Sequence, residues 1–348
     1  MRWHEKINCI DFEISSFCNA RCPQCPREQL IDKDWWSPKS LNLDFFQNRI
    51  GKEIFQEIKK VIFCGTYGDP SMAKDALGIC QFVRNSNPDI LIDFHTNGGT
   101  RNPEWWKSLA NIIGQNGKVV WGFDGLQDTN HLYRIDVNWD RAWNNAMSFI
   151  SAGGRAEWQF IIFKHNEHQV DEAKQLALAS GFEVFIERQS SRFIQDLYFT
   201  GELRTYIPNE DRYIYPTDNP KYRHPFLNSQ IAKIIKKNDL SDVFSIFDSI
   251  TEINCDSKID KKLYVTVDGY LMPCEHLAPA THYKDSSYPS AENFPEFNKQ
   301  YPVSLIDLNN ISFEEAVSSE WFLGLENSWK EKTCSGRLNT CVRNCGKK

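Results

Sequence analysis

The feature that most constrains this chain is a regular alternation over its first half. Short apolar runs at 10–14, 61–64, 90–94, 119–123, 158–163 and 182–186 read as strands. Between them, apolar residues recur at helical spacing: Met72, Ala76, Cys80 and Val83, then Trp105, Leu109 and Ile112, then Val170, Ala173 and Ala177. Gly181 is placed to cap the last of these helices. Six strands separated by helices imply a parallel sheet. Periodicity alone does not distinguish a barrel from a doubly wound sheet.

At 348 residues, 41% hydrophobic and 25% charged, the chain can build one large α/β domain and a smaller one. No stretch approaches the roughly 18 apolar residues that span a bilayer, so a cytosolic protein with no membrane partner is expected. A net charge of −6 argues against general nucleic-acid binding. Eleven cysteines, an odd number in clustered spacings, suit metal ligation in a reducing compartment better than a secreted disulfide framework. An enzyme or a metal-bearing binding protein remains.

Cys18, Cys22 and Cys25 form C-x3-C-x2-C directly after the first strand, where barrels place active-site groups. Three thiolates are one short of a closed metal site. A four-iron cluster on three cysteines keeps one iron open to a ligand. The alternative is a zinc knuckle, since C-x2-C is also zinc spacing, but the following residues offer no fourth ligand. Gly68-Asp69-Pro70 follows the second strand, joining a residue that permits close backbone approach to an acceptor for an ammonium group. Thr96-Asn97-Gly98 ends the third strand. Gly122-Phe-Asp124-Gly ends the fourth, with Tyr133-Arg134 beyond it, and a guanidinium offers bidentate geometry to a carboxylate. Asn166, past the fifth strand, reads equally as a ligand contact or a cap.

Five further cysteines, Cys255, Cys274, Cys334, Cys341 and Cys345, lie in the C-terminal quarter. Residues 263–267 and 270–272 read as a hairpin around Asp268-Gly269. Between the two cysteine-bearing regions, about forty residues after Glu187 are rich in tyrosine and arginine and form either a substrate-facing loop or a plain surface connection. Residues 283–302 are polar, proline-punctuated and read as a loop or linker. Cys9, Cys64 and Cys80 read as core cysteines, Cys64 lying nearest the predicted barrel mouth.

Taken together, these segments resemble the radical S-adenosylmethionine (radical SAM) enzymes, over about the first two thirds of the chain. The Cys255-x13-Gly269-x4-Cys274 run resembles the opening of the family's SPASM extension. Too few cysteines follow for two further clusters, so the shortened, twitch-like form is implied. The resemblance implies a partial (β/α)6 TIM-type barrel over 1–187, a connecting segment over 188–250 and a small α+β cluster-binding extension over 251–348. It further implies a [4Fe-4S] cluster on Cys18, Cys22 and Cys25 and S-adenosylmethionine held near Gly68, Asp69, Asn97, Asp124 and Arg134. One auxiliary [4Fe-4S] cluster would sit on four of the five C-terminal cysteines, with Cys255, Cys274, Cys341 and Cys345 preferred and Cys334 the rival. Zinc on the same cysteines is the structural alternative. The sequence departs from the family at Gln24, often aromatic, at Asp69, more usually glutamate, and at Gly122, often serine.

The implied chemistry is oxidative. An electron from a flavodoxin- or ferredoxin-type donor cleaves S-adenosylmethionine, and the resulting 5′-deoxyadenosyl radical takes a hydrogen from the substrate. Modification of a ribosomally made peptide is the leading expectation, with a separate peptide-recognition protein as a partner. Dehydrogenation of a small alcohol or sugar is the second, and a cluster protein that binds nucleoside without turnover is the third.

Overall fold

The computed structural model describes residue 3 and residues 7–207, 210–225, 252–282, 293–331 and 336–347. Its centre is an eight-stranded sheet: β1 (Cys9–Phe12), β2 (Lys60–Phe63), β3 (Leu91–Thr96), β4 (Gly117–Gly122), β5 (Ala156–Ile162), β6 (Val184–Gln189), β10 (Lys262–Val265) and β11 (Leu271–Met272). In space the order is β11-β10-β1-β2-β3-β4-β5-β6, and every pair is parallel except β10 with β11. The six expected strands all form. The expected hairpin also forms, and its first strand lies against β1, with Cys9 opposite Lys262.

Helices α1 (Leu43–Phe45) and α2 (Lys52–Glu57) precede β2, and α3 (Ala76–Ser86), α4 (Pro103–Ile113), α5 (Trp139–Ser151) and α6 (Val170–Ala179) follow β2 to β5. All four of the latter pack on one face of the sheet. Ile10, Phe12, Val61, Phe63, Ile92, Phe94, Val119 and Trp121 supply that face and are fully buried. Trp106 of α4 contacts both Phe94 and Trp121, and Phe149 of α5 contacts Trp121. Gly181, at φ +90, ends α6 as expected, and the amide of Phe182 returns to the Ala177 carbonyl at 3.0 Å.

The other face departs from the apolar pattern usual in parallel sheets. Alternate positions carry charge, and these pair across strands: Lys262 with Asp11 at 3.2 Å, Lys60 with Asp93 at 2.6 Å, and Lys118 with Glu157 at 2.8 Å. This face is therefore a polar floor on the side away from the helices.

After β6 come α7 (Phe193–Thr200) and an antiparallel pair, β7 (Thr205–Ile207) and β8 (Arg212–Ile214). Strand β9 (Glu252–Ile253) pairs with β12 (Gly346–Lys347). Within 283–302, expected to be linker, residues 294–300 form a helix, Phe294–Gln300. Its buried Phe294 and Phe297 lie three apart on one face, and Pro295 sits in the first turn where a missing amide costs nothing, so punctuation read as a loop signal instead starts a helix. Residues 283–292 of that stretch and Cys334 lie outside the described residues.

Candidate active site

The loop after β1 carries Cys18, Cys22 and Cys25 over the C-terminal end of the sheet. Its shape is fixed by short-range bonds: the Cys25 amide donates to the Cys22 carbonyl at 2.9 Å, and a single turn of 3-10 helix, Pro26–Gln29, starts immediately after Cys25. Arg27 turns back to donate to the Ala20 carbonyl, and Arg21 pairs with Glu28 at 3.0 Å.

The three sulfurs lie within electrostatic reach of one another, each charge opposing ionisation of its neighbours. Burial is the larger effect and pushes the Cys22 thiol up to about 11, with Cys18 and Cys25 raised as well. Donors are already aimed at the sulfurs. Cys18 Sγ accepts from the Ala20 amide at 3.4 Å and from Asn97 Nδ2 at 3.5 Å. Cys22 Sγ accepts from Arg134 Nη1 at 3.6 Å. Thiols that are costly to ionise alone, yet surrounded by N–H donors, suit thiolates whose charge a metal neutralises. The donor set therefore fits an iron–sulfur cluster. Among the described residues no three His, Cys, Asp or Glu side chains could hold one metal ion together. Cluster ligands, each on its own iron, do not need that convergence.

Gly68 and Asp69 pack beside this loop. A Cβ on Gly68 would lie 2.1 Å from the Ser15 carbonyl oxygen, so glycine here lets the loop after β2 close against the cysteine loop. The Asp69 amide completes that contact by donating to the Phe17 carbonyl at 2.9 Å. The buried Asp69 carboxylate is engaged within the protein, accepting from Ser71 N and Oγ, from Thr96 Oγ1 and from the Asn97 amide at 2.6–3.0 Å. Asn97 is thereby oriented, its Nδ2 reaching Cys18 Sγ and Asn19 Oδ1.

On the opposite side, Asp124 is fully buried and pairs with Arg134 Nε at 2.6 Å. Burial raises the Asp124 carboxyl, and the guanidinium beside it opposes that shift. Asp124 Oδ1 also accepts from the Ile161 amide at 2.6 Å. A Cβ on Gly122 would lie 2.5 Å from Arg134 Nη2, so glycine leaves the guanidinium room where it stands. Asn166 is spent on the backbone, donating to the Asp124 and Ile161 carbonyls and accepting from the Phe163 amide.

Gln24 was marked by sequence only as a departure. Buried, it donates to Thr205 Oγ1 at 2.9 Å and accepts from Ser190 Oγ at 2.7 Å, while Thr205 bonds Asp196 of α7. The residue before Cys25 thus holds the segment after β6 against the cysteine loop. Contact across such a distance in sequence leaves no local signal.

The C-terminal cysteines form a second group. Cys255 precedes the short helix Asp256–Ile259, Cys274 follows β11, and Cys341 and Cys345 lie one turn apart on the helix Asn339–Cys345. The Asn254 amide donates to the Cys345 carbonyl at 2.9 Å, next to the β9–β12 pair. The Cys255 thiol beside Cys345 favours the Cys345 thiolate and holds its pKa below the ordinary value, while burial chiefly, with Cys345 adding to it, pushes Cys274 up to about 12. Cys341 also feels Cys274 and Cys345. Electrostatic influence thus runs among the four preferred cysteines, although among the described residues no three of them are placed to hold one metal ion.

No protein-family model and no curated protein matches the chain. Solved structures do. The backbone is similar to Streptococcus suis SuiB bound to the precursor peptide SuiA, with TM-score 0.51 and 13% identity over 81% of this chain and 62% of that one. It is also similar to anSMEcpe with bound AdoMet (TM-score 0.53, 14% identity, 97% of this chain and 91% of that one) and to anSMEcpe with AdoMet and the Cp18Cys peptide (0.52, 14%, 96% and 89%). The chain thus spans less than two thirds of SuiB as seen in its peptide complex. At these identities the likeness is one of fold: the mostly parallel α/β sheet of a partial barrel, as the sequence led us to expect.

Proposed function

We propose that this chain is a radical SAM oxidoreductase that modifies a ribosomally made peptide. The observation that carries the reading is the group Cys18, Cys22 and Cys25 in the loop at the C-terminal end of β1, three thiols within electrostatic reach of one another, with N–H donors aimed at two of them. Likeness in fold to anSMEcpe, solved with AdoMet and with AdoMet and a peptide, and to SuiB, solved with its precursor peptide, supports it. Cys18, Cys22 and Cys25 would hold the cluster, which, reduced and with S-adenosylmethionine bound, would supply the one-electron chemistry for abstracting hydrogen from a substrate.

The protein's own residues bind and orient. Cys18, Cys22 and Cys25 hold the cluster. Gly68 and Asp69 fix the loop over it, and Asn97, set by Asp69, lies beside Cys18 on the nucleoside's side. Asp124 clamps Arg134, whose Nη2 edge over Gly122 is offered to the nucleoside carboxylate. Residues 1–187 form the barrel unit, 188–250 the substrate-facing connection and 251–348 the extension, where Cys255, Cys274, Cys341 and Cys345 hold an auxiliary four-iron cluster. An external flavodoxin- or ferredoxin-type protein supplies the electron, and a separate protein presents the peptide. The charged floor of the sheet favours dehydrogenation of a polar small molecule as the second reading.

Anaerobic reconstitution tests the proposal. About eight irons per chain are expected, falling to about four in the Cys18→Ala/Cys22→Ala/Cys25→Ala variant. Only the unaltered protein should yield 5′-deoxyadenosine after reduction, and a peptide or polyol that raises the yield identifies the substrate class. Loaded clusters without cleavage would point to a binding protein and overturn the reading.

A further inference from the structure

Arg134 is placed for more than a carboxylate. Its guanidinium is held at two points. Nε pairs with the fully buried Asp124 at 2.6 Å and Nη1 donates to Cys22 Sγ at 3.6 Å, while Nη2 lies where a Cβ on Gly122 would come within 2.5 Å. Asp124 is itself fixed by the Ile161 amide and, through its carbonyl, by Asn166. The chain thus uses a buried acid, a glycine and an asparagine to hold one cation against one cysteine sulfur.

We propose that Arg134 is a positioning residue that sets the reduction potential of the cluster on Cys18, Cys22 and Cys25 through its charged hydrogen bond to Cys22, before any S-adenosylmethionine binds. This rests on the function proposed above. The physical basis is that hydrogen bonds to the sulfurs, and nearby charge, tune cluster potentials. The reduced cluster carries one more negative charge, and a guanidinium fixed against a ligand thiolate stabilises that state over the oxidised one. Cys18 has only neutral donors, from Ala20 and Asn97. Arg134 makes the one charged hydrogen bond to these sulfurs among the described residues.

The experiment is an anaerobic, EPR-monitored redox titration without S-adenosylmethionine. It follows the signal that is absent from the Cys18→Ala/Cys22→Ala/Cys25→Ala variant and compares the unaltered protein with Arg134→Gln and Arg134→Lys. Iron content is measured on each sample. Equal iron, a more negative potential for Arg134→Gln and partial restoration by Arg134→Lys would establish the role. Unchanged potentials at equal iron would overturn it, leaving Arg134 to the carboxylate alone. Loss of iron and of circular-dichroism signal from both variants would assign the residue to folding and also overturn it. If the unaltered protein itself gives no signal that depends on the three cysteines, the proposed function fails instead.

Discussion

At the scale of single residues, the polar groups around the cysteine loop serve one another first. Asp69 gathers four donors, so Asp69→Ala leaves the Thr96 O–H and the Ser71 and Asn97 amides without their acceptor in the interior, while the Ser71 hydroxyl keeps Thr100. A loss of about 2–4 kcal/mol is expected, read as a lower urea midpoint of the metal-free protein. Gly68→Ala forces a methyl onto the Ser15 carbonyl, a backbone contact with no side chain to yield, and about 3 kcal/mol or more is expected from the same measurement. Glu13 makes a different prediction. Burial pushes its carboxyl up to about 8 from an ordinary 4.5, so the unfolded chain gives up this proton at lower pH than the folded one does. Stability is therefore lost as pH rises from about 4.5 to 8, and Glu13→Gln, which keeps an acceptor for the Tyr67 amide, should remove that loss. The gap between variant and parent midpoints should widen over this interval, and parallel pH profiles would refute the assignment. The cysteine triad was legible because spacing along the chain encodes it. The engagement of Asp69 was not, because its partners come from the end of another strand.

At the scale of elements, one residue ties the segment after β6 to the barrel. Gln24→Ala leaves the Thr205 and Ser190 hydroxyls without their shared partner, and α7 and β7 lose an anchor. Faster proteolytic cleavage within 190–207 is expected, together with about 1–2 kcal/mol of destabilisation. An unchanged cleavage pattern would show that the segment holds by other contacts. The strands and three of the helices were legible because burial on the helix face imposes their period. The helix Phe294–Gln300 was not, since two aromatic residues and a proline carry too little periodicity in seven positions. Nor did the hairpin's spacing disclose that β10 would find β1, because pairing between strands distant in sequence depends on the whole sheet.

At the scale of the molecule, both cysteine groups rest on one scaffold, since β10 and β11, which lead into Cys274, extend the sheet whose β1 leads into Cys18. β1 is therefore an interior strand only when β10 has joined it. On a ribosome, β1 to β6 emerge long before residues 262–265, and during that interval β1 presents an unpaired edge. Synthesis order thus leaves a period in which the first cysteine group exists while Cys255, Cys274, Cys341 and Cys345 have yet to be made, and β1 keeps an open edge until one late strand closes it.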